Sequence, residues 1–88
     1  VTYEIKFTKG ARKMFSKLSD DLQDRIQLKI DELAIEPRPN GVNKLKGEEN
    51  AYRIKVGDYR VIYNIFDNVL VVKVVEVGHR SEIYKDKS

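Results

Sequence analysis

Tyr52-Arg53-Ile54-Lys55-Val56-Gly57-Asp58-Tyr59-Arg60-Val61-Ile62-Tyr63 is the stretch that decides the fold. Apolar and polar residues alternate on both sides of Gly57-Asp58, and a Gly-X pair between two alternating runs signals a β-hairpin. A two-residue turn sets Val56 opposite Tyr59, Lys55 opposite Arg60, Ile54 opposite Val61, Arg53 opposite Ile62 and Tyr52 opposite Tyr63. Because side chains alternate faces along a strand, Tyr52, Ile54, Val56, Tyr59, Val61 and Tyr63 share one face, and Arg53, Lys55, Arg60 and Ile62 the other. Like charges directly opposite each other destabilise a sheet. Lys55 against Arg60, with Arg53 alongside, therefore departs from the local rule, and an anion lying across that face would resolve it.

Upstream, Tyr3, Ile5 and Phe7 alternate with Glu4 and Lys6, which predicts a strand with its apolar side on the core. Thr8 is placed to cap a first helix, in which Ala11, Met14, Phe15 and Leu18 recur at helical spacing. Ser19 caps a second, with Asp20 and Asp21 in its first turn, where carboxylates suit the positive end of the helix. Leu22, Ile26, Ile30 and Leu33 form its stripe, and Pro37 predicts a stop near Glu36. The two stripes make a helical hairpin that needs a sheet to cover.

Between helix and hairpin, residues 37–41 read as loop, and Asn43-Lys44-Leu45-Lys46-Gly47 as a basic segment with one apolar anchor. Asp67-Asn68 reads as a second two-residue turn, leading into a β-branched strand from Val69 to Val77 that ends at Gly78. That register pairs Lys73 with Ile62 and adds it to the basic face, whereas a longer turn would flip it. His79 to Tyr84 is read as a short terminal segment, with fraying from Lys85 to Ser88. The expected fold is a single α+β domain over 1–88: an N-terminal strand, a helical hairpin, then a three-stranded antiparallel meander, with the helices on one face of a twisted sheet and the cationic face open.

Eighty-eight residues suffice for one modest core. Seventeen Lys and Arg against 14 Asp and Glu give a net charge of +3, compatible with a nucleic-acid partner. No apolar run is long enough to span a membrane, and the opening residues read as a strand rather than a signal peptide. The absence of cysteine removes disulfides and thiolate zinc sites and fits a reducing cytosol.

Converging cations on a sheet face suit a phosphodiester, whose charge in phosphoryl transfer they would stabilise. Tyr84 and Tyr52 offer rings for base stacking. The same cations also read as a solvated sheet face, but the Lys55–Arg60 pairing points to an anion site. A two-histidine ribonuclease is excluded, because His79 is the one histidine; beside Gly78 it reads as a structural hydrogen-bonding residue. No His and carboxylate grouping has metal-ligand spacing, so neither metal nor cofactor is expected. Ser16, Ser19 and Ser81 lack a nucleophile motif. Glu48, Glu49 and Asp58 read as solubilising loop carboxylates, and Tyr59 and Tyr63 as core.

Taken together, Asn43-Lys44-Leu45-Lys46-Gly47, the hairpin, and Val77-Gly78-His79-Arg80-Ser81-Glu82-Ile83-Tyr84 resemble the RelE branch of the RelE/ParE toxin superfamily over essentially the whole chain. The resemblance implies the toxin of a type II toxin–antitoxin pair, acting in the cytoplasm as a metal-independent endoribonuclease. Such toxins cut mRNA in the ribosomal 30S A site by attack of a ribose 2′-hydroxyl on the adjacent phosphate. It further implies a cognate antitoxin, and a toxin–antitoxin hetero-oligomer on operator DNA. The family's catalytic set maps onto Arg53, Lys55, Arg60, Arg80 and Tyr84, and its RNA- and ribosome-contacting residues onto Lys44 and Lys46, to which the register adds Lys73. Lys55 is then the general base, with a pKa expected to be lowered by Arg53 and Arg60. Arg53 and Arg60 clamp the phosphate, Arg80 stabilises the leaving 5′-oxygen, and Tyr84 stacks on the displaced nucleotide. Arg53 stands where RelE toxins carry lysine, which preserves phosphate binding. Arg60 and Arg80 are both expected on an exposed surface. The alternatives are a ParE-like gyrase inhibitor and a non-catalytic nucleic-acid-binding module.

Overall fold

The computed structural model describes residues 2–47 and 49–86, excepting the side chains of 84–86. Along the chain it forms β1 (Glu4–Phe7), α1 (Lys9–Ser16), α2 (Asp20–Ile35), β2 (Asn43–Lys44), β3 (Ala51–Val56), β4 (Tyr59–Phe66), β5 (Val71–His79) and α3 (Arg80–Asp86). The hairpin has the expected register at all five pairs from Val56–Tyr59 to Tyr52–Tyr63. At its turn Gly57 has φ +61 and Asp58 does not share the positive sign, the type II′ pattern that favours glycine in the first central place.

Both helices start where their caps predict. Thr8 Oγ1 accepts from Ala11 N–H at 3.1 Å and Ser19 Oγ from Leu22 N–H at 3.3 Å, each satisfying a donor that a helix end leaves open. The α2 helix ends at Ile35, capped by Glu36, as Pro37 requires. Ala11, Ile26, Ile30 and Leu33 pack on Tyr52, Ile54, Val61, Tyr63, Ile65, Val72, Val74 and Val77, so one face of the sheet and the helical stripes make one core.

The α+β architecture is as expected, with four differences. The sheet has five strands in the order β1-β5-β4-β3-β2, because Asn43 and Lys44 pair with Arg53 and Tyr52 as a short edge strand. The second turn spans four residues, 67–70, with Leu70 at φ +55. Lys73 consequently pairs with Asn64 rather than Ile62. A shift of two residues preserves the facing, so Lys73 stays on the Arg53 side. Between Ile62 and Tyr63 the register shifts again, a bulge at Val75 of β5. Finally, residues from Arg80 form a helix, and the face expected to be open is partly covered. An added Cβ on Gly78, the partner of Arg60, would meet Met14 Cε of α1 at 3.4 Å and Ile83 Cγ1 of α3 at 3.5 Å. Ile83 and Ile62 are both buried outside the main core. The α3 helix therefore lies on the second face. Of the segment expected to fray, Lys85 and Asp86 instead continue α3, and Lys87 and Ser88 lie outside the described residues.

A polar cluster closes the end of the sheet away from the hairpin turn. Arg38 donates from its two terminal nitrogens to Asp67 at 3.3 and 2.9 Å and from Nε to Tyr52 Oη at 3.1 Å. Tyr3 Oη donates to Asp67 Oδ1 at 2.6 Å, and Tyr63 Oη to Pro37 O at 2.7 Å. Burial pushes the Tyr63 phenol up, which keeps it a donor. The hydrogen bonds from Arg38 and then Tyr3 hold the Asp67 carboxyl below its usual range. A carboxyl depressed in the folded state contributes stability above its unfolded pKa and loses it as pH falls through the depressed value. Stability should therefore drop on acidification below pH ~4. Asp67→Asn should be less stable at neutral pH and show a shallower acid loss in urea melts; an unchanged acid limb would remove Asp67 from this role.

Candidate functional site

Strand pairing arranges the second face in rows. Lys55, Arg60 and Gly78 form the row next to the hairpin turn; Asn43, Arg53, Ile62 and Glu76 form the second; Ala51, Asn64, Lys73 and Lys6 form the third. The sequence expectation brought Arg53, Lys55, Arg60 and Lys73 to this face, and all four share it. Lys6 was missed. It pairs with Lys73 through the parallel β1–β5 contact, and nothing local in Tyr3–Phe7 signals a partner 67 residues away. Strand spacings place Lys73 roughly 16 Å from Lys55. Lys6 and Lys73 are thus a second cationic pair rather than part of the first. Glu76 adds one carboxylate to the face.

Lys55 is exposed and Arg53 half-buried, whereas Arg60 is only 6% exposed. This corrects the expectation that Arg60 lies on an exposed surface. Its Nη1 donates to Gly57 O and Tyr59 O, both at 3.0 Å. The like-charge pairing is therefore relieved within the protein: carbonyl dipoles at the turn take up the Arg60 charge and leave the Lys55 ammonium outward. An anion across the pair is not the sole resolution.

The third carbonyl of the turn holds Arg80. Asp58 O accepts from Arg80 N–H at 2.8 Å, and the Asp58 carboxylate lies 4.0 Å from Arg80 Nε with both side chains well exposed. Asp58 is therefore an anchor rather than a merely solubilising residue. As a result, Arg80 at the start of α3 stands beside the turn and the row of Lys55 and Arg60. The Tyr84 backbone lies in α3, and its ring is outside the described side chains.

Tyr52 is not available for base stacking: it is 9% exposed, stacks on the Tyr63 ring at 6.0 Å and lies under the Arg38 guanidinium at 5.3 Å. Lys44 and Lys46 are exposed around an open concavity of about 480 Å³ that also includes Leu45, Gly47 and Glu49. Pairing with Tyr52 puts Lys44 on the opposite parity from Arg53, at the sheet edge. His79 is structural as expected, its ring edge-on to Tyr59 at 5.4 Å. Among the described residues no group of three or more His, Asp and Glu side chains is placed to hold a metal ion. No described helix is long and apolar enough to cross a membrane.

The arrangement can therefore hold a phosphodiester against Lys55, Arg53 and Arg80, with Arg60 as a fixed charge behind it. Removing Arg60 takes a packed guanidinium and its two hydrogen bonds to Gly57 O and Tyr59 O out of the hairpin, whereas Arg80 is exposed. In denaturant titrations Arg60→Ala should cost about 2–3 kcal/mol and Arg80→Ala no more than ~0.5 kcal/mol. Equal, small losses would contradict the anchoring of Arg60.

Comparison with known proteins gives the chain's family. Residues 5–84 match the family described as the ParE toxin of type II toxin-antitoxin system, parDE. The chain is 33% identical over 90 residues to the mRNA interferase toxin RelE of Escherichia coli (strain K12), covering 98% of this chain and 94% of that protein. It is similar to a chain of the intact E. coli RelBE toxin-antitoxin complex, with a TM-score of 0.79 at 33% identity over 88% of this chain and 95% of that one. A chain of the archaeal RelE-RelB complex from Pyrococcus horikoshii gives a TM-score of 0.80 at 33% identity, covering 91% and 97%.

Proposed function

This chain belongs to the RelE/ParE superfamily of type II toxin–antitoxin toxins, and from that premise we propose that it is a ribosome-dependent mRNA endonuclease whose toxicity is restrained by a cognate antitoxin. The observation that carries the reading is that Lys55 and Arg53 share one sheet face in adjacent rows, with the Arg80 backbone held at the hairpin turn and Arg60 anchored on the turn carbonyls. The E. coli relative named an mRNA interferase supports it.

In the proposed step Lys55, as the free amine, accepts the proton of a ribose 2′-hydroxyl in the ribosomal A site and becomes the ammonium. The 2′-oxygen bonds to the adjacent phosphorus, the bond to the 5′-oxygen breaks, and the leaving 5′-oxygen takes a proton from solvent. The products are a 2′,3′-cyclic phosphate and a 5′-hydroxyl. Arg53 and Arg80 stabilise charge on the phosphoryl oxygens and the leaving oxygen through guanidinium forks. Arg60, turned into the hairpin, acts by its charge and by fixing the turn. Tyr84 stacks on the displaced base, and Lys44, Lys46, Lys73 and Lys6 contact RNA backbone. The reaction needs no metal, because the nucleophile is on the substrate.

The solved RelBE and RelE-RelB complexes support an antitoxin partner. An acidic or amphipathic segment that folds on contact would cover the basic face or displace the C-terminal segment. A toxin–antitoxin assembly on operator DNA and a cytoplasmic site of action follow from the same reading.

The family description favours a second reading, a ParE-like gyrase poison. Neither gyrase-linked DNA breaks nor message cleavage would leave a non-catalytic nucleic-acid-binding module. Purified protein with programmed ribosomes separates these. Cleavage should persist in chelator and stop with one 2′-deoxy nucleotide on the 5′ side of the cut. Free RNA should be cut far more slowly, because ribosomal alignment of the 2′-oxygen can contribute roughly 7–11 kcal/mol. Cutting of the 2′-deoxy message, or equal cutting of free RNA, would overturn the mechanism.

A further inference from the structure

The start of α3 carries Arg80 but is only one residue from the end of β5, and its first amides are held from outside the helix. Arg80 N–H goes to Asp58 O at 2.8 Å, across the hairpin turn. Ser81 N–H donates to His79 Nδ1 at 3.2 Å, and the Ser81 hydroxyl lies 2.9 Å from the same nitrogen. With Arg80 as the first helical residue, His79 occupies the N-cap position and its imidazole accepts from the second helical amide, as serine, asparagine and aspartate caps do. Accepting that bond makes Nδ1 the unprotonated nitrogen of the ring.

The ring is itself fixed. His79 pairs with Tyr59 in the sheet, and the two rings meet edge to face at 5.4 Å and 85°. Tyr59 in turn presents the carbonyl that receives Arg60. Further along α3, Ile83 is 1% exposed, seated against Gly78. Among the described residues the Arg80 side chain has only the exposed contact to Asp58 at 4.0 Å, and such surface pairs orient a side chain weakly. The direction from which Arg80 reaches out is therefore set by its backbone.

We infer that His79 is a positioning residue: by capping α3 it fixes the backbone of Arg80 beside the hairpin turn and so aims the guanidinium at the scissile phosphate. The inference rests on the endonuclease reading, in which Arg80 meets the leaving oxygen. His79 touches no substrate, and its part is to hold the helix start in the geometry that Asp58 O completes. A misplacement of about 1 Å at such a group can lower the rate on the order of a hundredfold.

Two measurements on the full chain test this. The first is amide hydrogen exchange on the wild-type protein, which reads the cap whether or not the protein cleaves RNA. Ser81 N–H should be protected alongside Arg80 N–H; exchange of Ser81 at the rate of an open amide would overturn the cap. The second is cleavage of message on programmed ribosomes by wild type, His79→Ala and His79→Asn. The asparagine Oδ1 occupies the place of the imidazole Nδ1, so it restores the acceptor while losing the ring contact to Tyr59. His79→Ala should lower kcat on the order of five- to tenfold, with KM little changed, and His79→Asn should recover to within about twofold of wild type. Wild-type rates in His79→Ala, or an asparagine variant as slow as the alanine one, would overturn the positioning role. If His79→Ala fails to fold, the Ser81 exchange and the asparagine variant still decide. A wild-type protein that cuts nothing would overturn the endonuclease reading and with it the positioning role, leaving the cap to be judged by exchange alone.

Discussion

Two cations face each other across the β3–β4 hairpin, and the structure near the site depends on how that repulsion is relieved. Lys55 and Arg60 are direct partners, an arrangement that disfavours a sheet. The tight turn supplies the answer, because it brings carbonyls at and beside it within reach of the Arg60 guanidinium and the Arg80 amide. Gly57 O and Tyr59 O accept from Arg60, and Asp58 O accepts from Arg80 N–H. Three consecutive carbonyls thus gather one guanidinium and one helix start. The glycine at φ +61 is what lets the turn close this tightly.

The opposite end of the sheet serves stability. There Arg38, Asp67, Tyr3 and Tyr52 tie the loop after α2 to β1, β3 and the second turn. Tyr63 adds a buried bond to Pro37 O. The arginines at the two ends are held differently. Arg38 is matched by a carboxylate fork, whereas at the hairpin turn Arg60 is set on main-chain carbonyls, Lys55 is outward and Arg80 meets the Asp58 carboxylate loosely at 4.0 Å. A charge stabilised by carbonyl dipoles keeps its sign visible to an incoming phosphate, and a charge neutralised by a carboxylate does not.

Much of this is legible in local patterns of residues. The hairpin register, both helix caps and the stop before Pro37 follow from turn chemistry, capping and periodicity acting within a few residues. The cationic face followed from alternation alone. What escaped was non-local or side-chain-specific. Lys6 joins Lys73 through a parallel pairing that leaves no mark in either strand. The 67–70 turn has a leucine in left-handed geometry, where a glycine would have signalled the extra length. Asn43–Lys44 is too short for periodicity to register. The α3 helix hides behind a glycine that normally ends a strand and a histidine that is an uncommon cap. Burial of Arg60 could not be read from its place in the pattern, since alternation assigns a face but not the direction a long side chain takes.

The resulting picture is a sheet whose turn end concentrates cations on a rigid frame, in a family whose relatives include a named mRNA interferase. Lys55 is the exposed member of the hairpin pair, and the proposed chemistry begins there. Its removal should end cleavage while leaving the carbonyl anchors of Arg60 and Arg80 untouched. The most direct test is primer extension on message from cells expressing wild type or Lys55→Ala at equal levels of folded protein. Discrete new 5′ ends within translated regions for wild type, and none for Lys55→Ala, are the predicted result. The same cuts in both, or intact message accompanied by gyrase-linked DNA breaks, would contradict the account.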